Sequence, residues 1–399
     1  MKMYRVTRKI VLLCLLLMQV PSFSDSSEKM AFWSVQKRGA NGALHKFRPE
    51  WFKAAADVGL EFIRFAPDKL PAAERDFLIG NADHFTSLNE TDFALLGQIL
   101  DIAHHYHLKI VLVMYSLPGC RWRQHNDDVD DSRIWQDEYF QEQAFAFWRQ
   151  LAFRLKNFPA IVAYNPLNEP HPEQAFGFEE PTKEFVEWFE KYKNTTADLN
   201  KFNRLMLAAI RSVDPDTPVM LDGYFFADVK GMPFNEPVDD VKTLYTFHNI
   251  APWQFAAFRI NKGRYSYPDK MPNFWDAPGV PWRFVDLENR VDPVVAFSAK
   301  HDIPAHRIIA SEFWCDRRVP GCKEYLTDAI TIYNFHQWHW AFYDFRSDGN
   351  WGGLDYELGT EKLDWKFWQA VENGEDGEPF KNRHDNPIWH VLQKELSSP

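Results

Sequence analysis

Along this chain, short and largely apolar runs alternate with longer stretches whose apolar residues recur three and four positions apart. Eight of the short runs read as strands: VQKRGANG near Val35, LEFIRF from Leu60, KIVLVMYS from Lys109, AIVAYNPL from Ala160, PVMLDG from Pro218, KTLYTFH from Lys242, HRIIASEF from His306 and WHWAFYDF from Trp338. Several stay apolar without alternating, which suits a strand covered on both faces. The stretches between them carry the helical period, as in DFALLGQILDIAHHYH, YFQEQAFAFWRQLAFRLKNF, NRLMLAAIRSV, KEYLTDAITIYNFHQ and the closing PIWHVLQKEL. Eight strands separated by helices predict an α/β fold, a (β/α)8 TIM barrel with long loops at the C-terminal ends of its strands. A doubly wound sheet would want a glycine-rich phosphate turn after its first strand, and RGANGAL is a poor one.

The first residues break this rhythm. Lys2, Arg5, Arg8 and Lys9 precede the apolar run Ile10–Val20, and small polar residues follow in PSFSDSS. A basic start, a short apolar core and a small-residue stretch predict a signal peptide over residues 1–24, removed on export to the periplasm or beyond. About 375 residues remain, 25–399, the size of one barrel with insertions. The formal net charge of −11 excludes a reading built on nucleic acid or an anionic membrane. No cysteine and histidine spacing suggests a metal site, and no cofactor is expected. Cys315 and Cys322 bracket CDRRVPGC; either a bridge stapling that loop or free thiols fits the spacing. The aromatic content is high, with 16 Trp, 14 Tyr and 34 Phe. Such residues fill cores, and exported proteins that handle sugars also need flat apolar faces for pyranose rings.

The fourth run ends abruptly on Asn168-Glu169-Pro170, and the seventh ends on Ser311-Glu312-Phe313. In a barrel, residues at the C-terminal ends of strands face the active site while mid-strand residues fill the core. Glu169 and Glu312 would then meet at one mouth from well-separated strands. Two such carboxylates can cleave a glycosidic bond, one protonating the leaving oxygen while the other attacks the sugar carbon. A lone glutamate at a loop entrance is usually a solvated acid; the pairing is what argues for chemistry.

With these residues in place the chain resembles glycoside hydrolase family 5, the large cellulase family of clan A, over nearly its whole length after the signal. NEP closing the fourth strand and SEF closing the seventh resemble the family's acid/base and nucleophile, which implies those roles for Glu169 and Glu312. RGAN resembles the first strand, FIRF carries the second-strand arginine as Arg64, MYSLPG resembles the third-strand loop, and FHNIAPWQF gives His248 on the sixth. HWAFYDFRSDGNWGGLDYELG resembles the eighth-strand tryptophan region, making Trp340 the expected sugar platform, with Phe342, Tyr343 and Trp351 as other aromatics for that role. Asn168 can hold the sugar 2-hydroxyl, and Arg64 is expected to keep Glu312 ionised by lowering its pKa. Two positions depart from the pattern. Tyr115 stands where the family usually has histidine, and Ile250 where it usually has the tyrosine that donates to the nucleophile; Tyr115 or Tyr245 are candidates to compensate.

The resulting expectation is a retaining hydrolase of β-linked polysaccharide, acting as a monomer on a β-glycan and in the manner of an endo-β-1,4-glucanase. A β-mannanase, an exo-acting or glycolipid-directed β-glycosidase, and a catalytically dead sugar-binding barrel are the alternatives. Trp253, Trp275 and Trp282, in the long segment after the sixth strand, serve either as sugar subsites or as the packing of that segment.

Overall fold

The computed structural model describes residues 28–272, 278–346 and 352–397. The expected signal peptide, Trp275 and Trp351 lie outside the described residues. Eight parallel strands close into a barrel in chain order: β1 (Arg38–Ala43), β2 (Phe62–Ala66), β3 (Lys109–Val113), β4 (Ile161–Asn165), β5 (Val219–Leu221), β6 (Thr243–His248), β7 (Ile308–Phe313) and β8 (His339–Phe342), with β8 pairing back onto β1. Each coincides with one of the eight runs. The helical stretches also form where their periodicity places them, at Glu90–His105, Glu138–Leu155, Leu199–Arg211, Cys322–Phe335 and Pro387–Leu396. All of these starts but that of Cys322–Phe335 carry a side-chain cap. Asn89 accepts from the N–H groups of Thr91 and Asp92, and Asn386 from those of Ile388 and Trp389, satisfying donors a helix start leaves unpaired.

Strand residues alternate between the barrel interior and the surrounding helices. The lower interior is apolar, built from Phe62, Val111, Val162, Ala163, Met220, Leu244, Ile309 and Ala341. Trp33 plugs it from below, its Nε1–H donating to the Val162 carbonyl at 3.1 Å. That plug comes from a stretch just after the expected signal, which the sequence pattern leaves without a role. Towards the C-terminal ends of the strands the character changes to Asn41, Arg64, Asn165, Asp222, Thr246 and His248, all buried. The chemistry is confined to this polar layer.

The Cys315–Cys322 disulfide is formed, closing the loop between β7 and the helix Cys322–Phe335, and Cys120 is a buried free thiol. A small antiparallel hairpin, Asp269–Met271 with Val280–Trp282, decorates the segment after β6. Trp282 is buried within it, so this residue packs the segment, whereas Trp253 stays 44% exposed. Among the described residues no helix is long and apolar enough to cross a membrane.

Candidate active site

Arg64, rising from β2 and fully buried, organises the site. Its Nε donates to Asn165 Oδ1 at 2.8 Å, its Nη1 to Asn41 Oδ1 at 3.0 Å and to Glu312 Oε1 at 2.5 Å, and its Nη2 to Asn168 Oδ1 at 2.6 Å and Asp222 Oδ2 at 3.4 Å. Every guanidinium nitrogen therefore has a partner, and the planar fork fixes five side chains relative to one another. Asn168 meets Arg64 through its oxygen, so its NH2 group is the part of the amide that can donate.

Glu312 closes β7. Both side-chain hydrogen bonds it receives from the described residues, from Arg64 and from Tyr115 Oη at 3.5 Å, fall on Oε1 and neither on Oε2. Tyr115 also shares a hydrogen bond with Tyr343, the half-buried aromatic just past β8. Burial raises the Tyr115 hydroxyl well above its ordinary pKa, so it keeps its proton and acts as a donor. Of the two tyrosines considered as replacements at Ile250, Tyr115 is the one that reaches Glu312. Tyr245 faces outward, accepting from the Val238 N–H and packing on Phe297. Tyr115 is itself held by Asp68, whose carboxylate accepts the N–H groups of Tyr115 at 3.1 Å and Ser116 at 2.8 Å. Burial lifts the Asp68 pKa to about 6, against the pull of those N–H donors.

Glu169 follows β4 and Asn168 in a left-handed backbone conformation, φ 49°, uncommon outside glycine. His248 Nδ1 lies 2.8 Å from Glu169 Oε1, while His248 Nε2 has no hydrogen-bond partner among the described residues and sits 3.8 Å from Asp222 Oδ2 and 3.9 Å from Glu312 Oε1. Burial disfavours the imidazolium, but Glu312, Glu169 and Asp222 outweigh it and raise the His248 pKa. Ligand atoms of Glu169, His248 and Glu312 all fall within 4.8 Å of one another.

Two expectations need correction. Arg64 does pair with Glu312, but burial outweighs the guanidinium and His248, so the Glu312 pKa lies above its ordinary value. Trp340 is fully buried and points away from the mouth, into the helix layer: its Nε1–H donates to Asn334 at 3.1 Å and its ring packs edge-on against Phe313. The alternation that turns Ala341 inward turns Trp340 and Phe342 outward, so Tyr343 is the eighth-strand aromatic at the mouth. Further aromatic faces border the site. Trp122 packs on Tyr115 at 5.0 Å, and the half-exposed Trp314, two residues past Glu312, meets Trp253 edge to face at 5.3 Å.

Asp68, Asp222 and Asn165 are absent from the residues picked out by sequence; their only signal is a polar side chain ending an apolar run. A cavity of about 510 Å³ lies between the disulfide loop and the C-terminal helix, lined by residues such as Arg318, Lys323, Glu361 and His384. It contains none of the residues above; the converging ionisable groups and their buried network are what locate the site.

A TIM barrel whose fourth and seventh strands each deliver a carboxylate to one mouth, with arginine beside one and histidine beside the other, has the site architecture of the glycoside hydrolases. Residues 35–304 match the family described as cellulase, glycosyl hydrolase family 5, and the chain belongs to that family. Glu312 lies just beyond the matched span. A β-xylosidase of Phanerodontia chrysosporium is 26% identical over 177 residues, 43% of this chain and 32% of that protein. Cellodextrinase A of Ruminococcus flavefaciens is 21% identical over 221 residues, 55% of each. The chain thus spans about half or less of the length of these relatives. The endoglucanase Cel5A of Thermotoga maritima has a similar fold, with a TM-score of 0.61 at 16% identity over 92% of this chain and 98% of that one. Cel5A of Pseudomonas stutzeri gives 0.59 at 18% identity, covering 90% and 94%.

Proposed function

We propose that the protein is a retaining glycoside hydrolase that cleaves β-linked glucan, acting as an endo-β-1,4-glucanase outside the cytoplasm. The observation that carries this reading is the placement of Glu169 and Glu312, whose nearest oxygens lie within 4.8 Å. Retaining enzymes hold their two carboxyl groups about 5–5.5 Å apart, whereas inverting enzymes need about 6.5–9.5 Å to admit a water.

In this reading Glu312 Oε2 attacks the anomeric carbon while Oε1 stays anchored by Arg64 and Tyr115. Glu169 gives its proton to the departing glycosidic oxygen. The covalent glycosyl ester on Glu312 is then hydrolysed by a water that Glu169, now a carboxylate, deprotonates. His248 on Glu169 Oε1 leaves the other oxygen to carry the transferred proton. Asn168 donates to the 2-hydroxyl, a contact that strengthens as positive charge develops at the anomeric carbon. Tyr343, Trp122 and the Trp253–Trp314 pair offer faces for sugar rings. An intact pair of glutamates in this network argues against the dead-barrel alternative.

The 2-hydroxyl is equatorial in glucose and axial in mannose, and Asn168 alone does not choose between them. A second reading, exo-action on short β-linked chains, draws support from the names of the two sequence relatives, a β-xylosidase and a cellodextrinase. The test sets carboxymethylcellulose, mixed-linkage glucan and mannan beside cellobiosides and xylan, reading viscosity and reducing ends together. A rapid fall in viscosity with few new ends supports endo-action on glucan. Activity confined to short glycosides overturns the polymer reading, and loss of no activity in Glu312→Ala overturns the catalytic one.

A further inference from the structure

Asp222, one residue past β5, makes contacts that the proposed chemistry leaves unexplained. It is buried, and its carboxylate is saturated by donors from four parts of the chain. Oδ1 accepts the Thr246 hydroxyl at 2.5 Å and Asn165 Nδ2 at 3.0 Å; Oδ2 accepts the backbone N–H of Glu169 at 3.0 Å and faces Arg64 Nη2 at 3.4 Å. The bond to Glu169 is the informative one. Glu169 has the left-handed φ of 49°, a conformation that non-glycine residues hold only when their surroundings enforce it. That conformation turns the Glu169 N–H into the barrel and its carboxyl towards His248, and Asp222 is the acceptor that satisfies the inward N–H. An amide without such a partner loses its hydrogen bond outright, and the strained backbone then keeps only the bond between its carbonyl and His171 Nδ1 at 2.6 Å.

We propose that Asp222 is the positioning residue of the acid/base: by accepting the Glu169 N–H it locks the left-handed turn that aims the Glu169 carboxyl at the glycosidic oxygen. The proposal rests on the retaining-hydrolase reading above. It predicts a specific kind of damage to the first step, because there a misaimed acid matters only when the leaving group needs a proton. Asp222→Asn keeps the volume but offers one acceptor oxygen where four donors converge, so an NH2 group must face one pair of them. Loss of a general acid costs about 10²–10⁴-fold.

The experiment compares kcat and KM of the wild type, Asp222→Asn and Asp222→Ala on 2,4-dinitrophenyl and alkyl β-cellobiosides, with melting temperatures recorded alongside. The expected result for both variants is a loss of about 100-fold in kcat/KM on the alkyl glycoside and less than about tenfold on the dinitrophenyl one, where kcat and KM fall together because deglycosylation also needs Glu169. Equal losses of kcat/KM on the two substrates, in variants that remain folded, overturn the proposal and leave a structural role. A wild type inactive on both substrates overturns the hydrolase reading, and this inference falls with it. Should Asp222→Ala fail to fold, Asp222→Asn alone carries the comparison.

Discussion

Glu173 offers a test of the fold that is independent of any substrate. It sits four residues past Glu169, fully buried, with Oε1 accepting the Phe225 N–H at 3.0 Å and Oε2 without a partner among the described residues. Burial raises its pKa from 4.5 to about 8, against the pull of backbone N–H groups and Lys230. In the unfolded chain the carboxyl ionises near its ordinary value, while in the folded protein it stays protonated until about pH 8. Over that window the folded state binds one more proton than the unfolded state, so stability falls as pH rises, at about 1.4 kcal/mol per pH unit. The contribution is fully present below the ordinary carboxylate pKa and is gone once pH has passed through about 8. From about pH 5 to 8 the loss attributable to this side chain is about 4 kcal/mol. Glu173→Gln keeps an acceptor for Phe225 and cannot ionise. Urea-unfolding midpoints measured at intervals across this range should show the variant no more stable than the wild type at the acid end and clearly more stable at the alkaline end. Parallel profiles for the two proteins would refute the reasoning, since they would mean that Glu173 is already charged in the folded state.

Four further outcomes follow from the site. Glu312→Ala should abolish cleavage of every glycoside, whereas Glu169→Ala should lose about 10²–10⁴-fold on unactivated substrates, keep the first step on dinitrophenyl glycosides and recover turnover with azide; equal losses on the activated substrate would reverse the assignment. Proton NMR of the first product should show the β-anomer, and early α-anomer would contradict the double displacement. Tyr115→Phe removes a donor from the nucleophile and should cost about tenfold in kcat at unchanged KM, in steady-state kinetics on an aryl cellobioside. Because burial raises the Glu312 pKa and only its ionised form attacks, kcat/KM should decline with falling pH from a point above the ordinary carboxylate range, and Arg64→Ala should move that limb higher still.

How much of this was readable from the sequence depends on the range of the interactions involved. All eight strands and the main helices were legible, because apolar runs and three-four spacing are local signals of burial. Glu169 and Glu312 were legible as a pair because a strand end in a barrel has a known direction, so two distant glutamates could be brought to one mouth before any coordinates existed. The structure places Arg64, Asn168, His248 and Tyr115 beside them. Trp340 failed for a reason of a single residue: in a strand, adjacent side chains take opposite faces, and an eighth run rich in aromatics gives no internal mark of which parity turns inward. Ala341 in the interior decides it, and a small residue is a weak signal beside five large rings. Asp222, Asp68 and Glu173 were invisible for a different reason. Each works by accepting backbone N–H groups from another loop, and a main-chain donor leaves no trace in the identity of the residue that carries it. A buried carboxylate of this kind is written in the sequence only as an acid where an apolar run ends, the same signature as a solvated turn. The structural observation that separates the two is the left-handed backbone at Glu169, a strained turn whose N–H is accepted by Asp222 from just past β5.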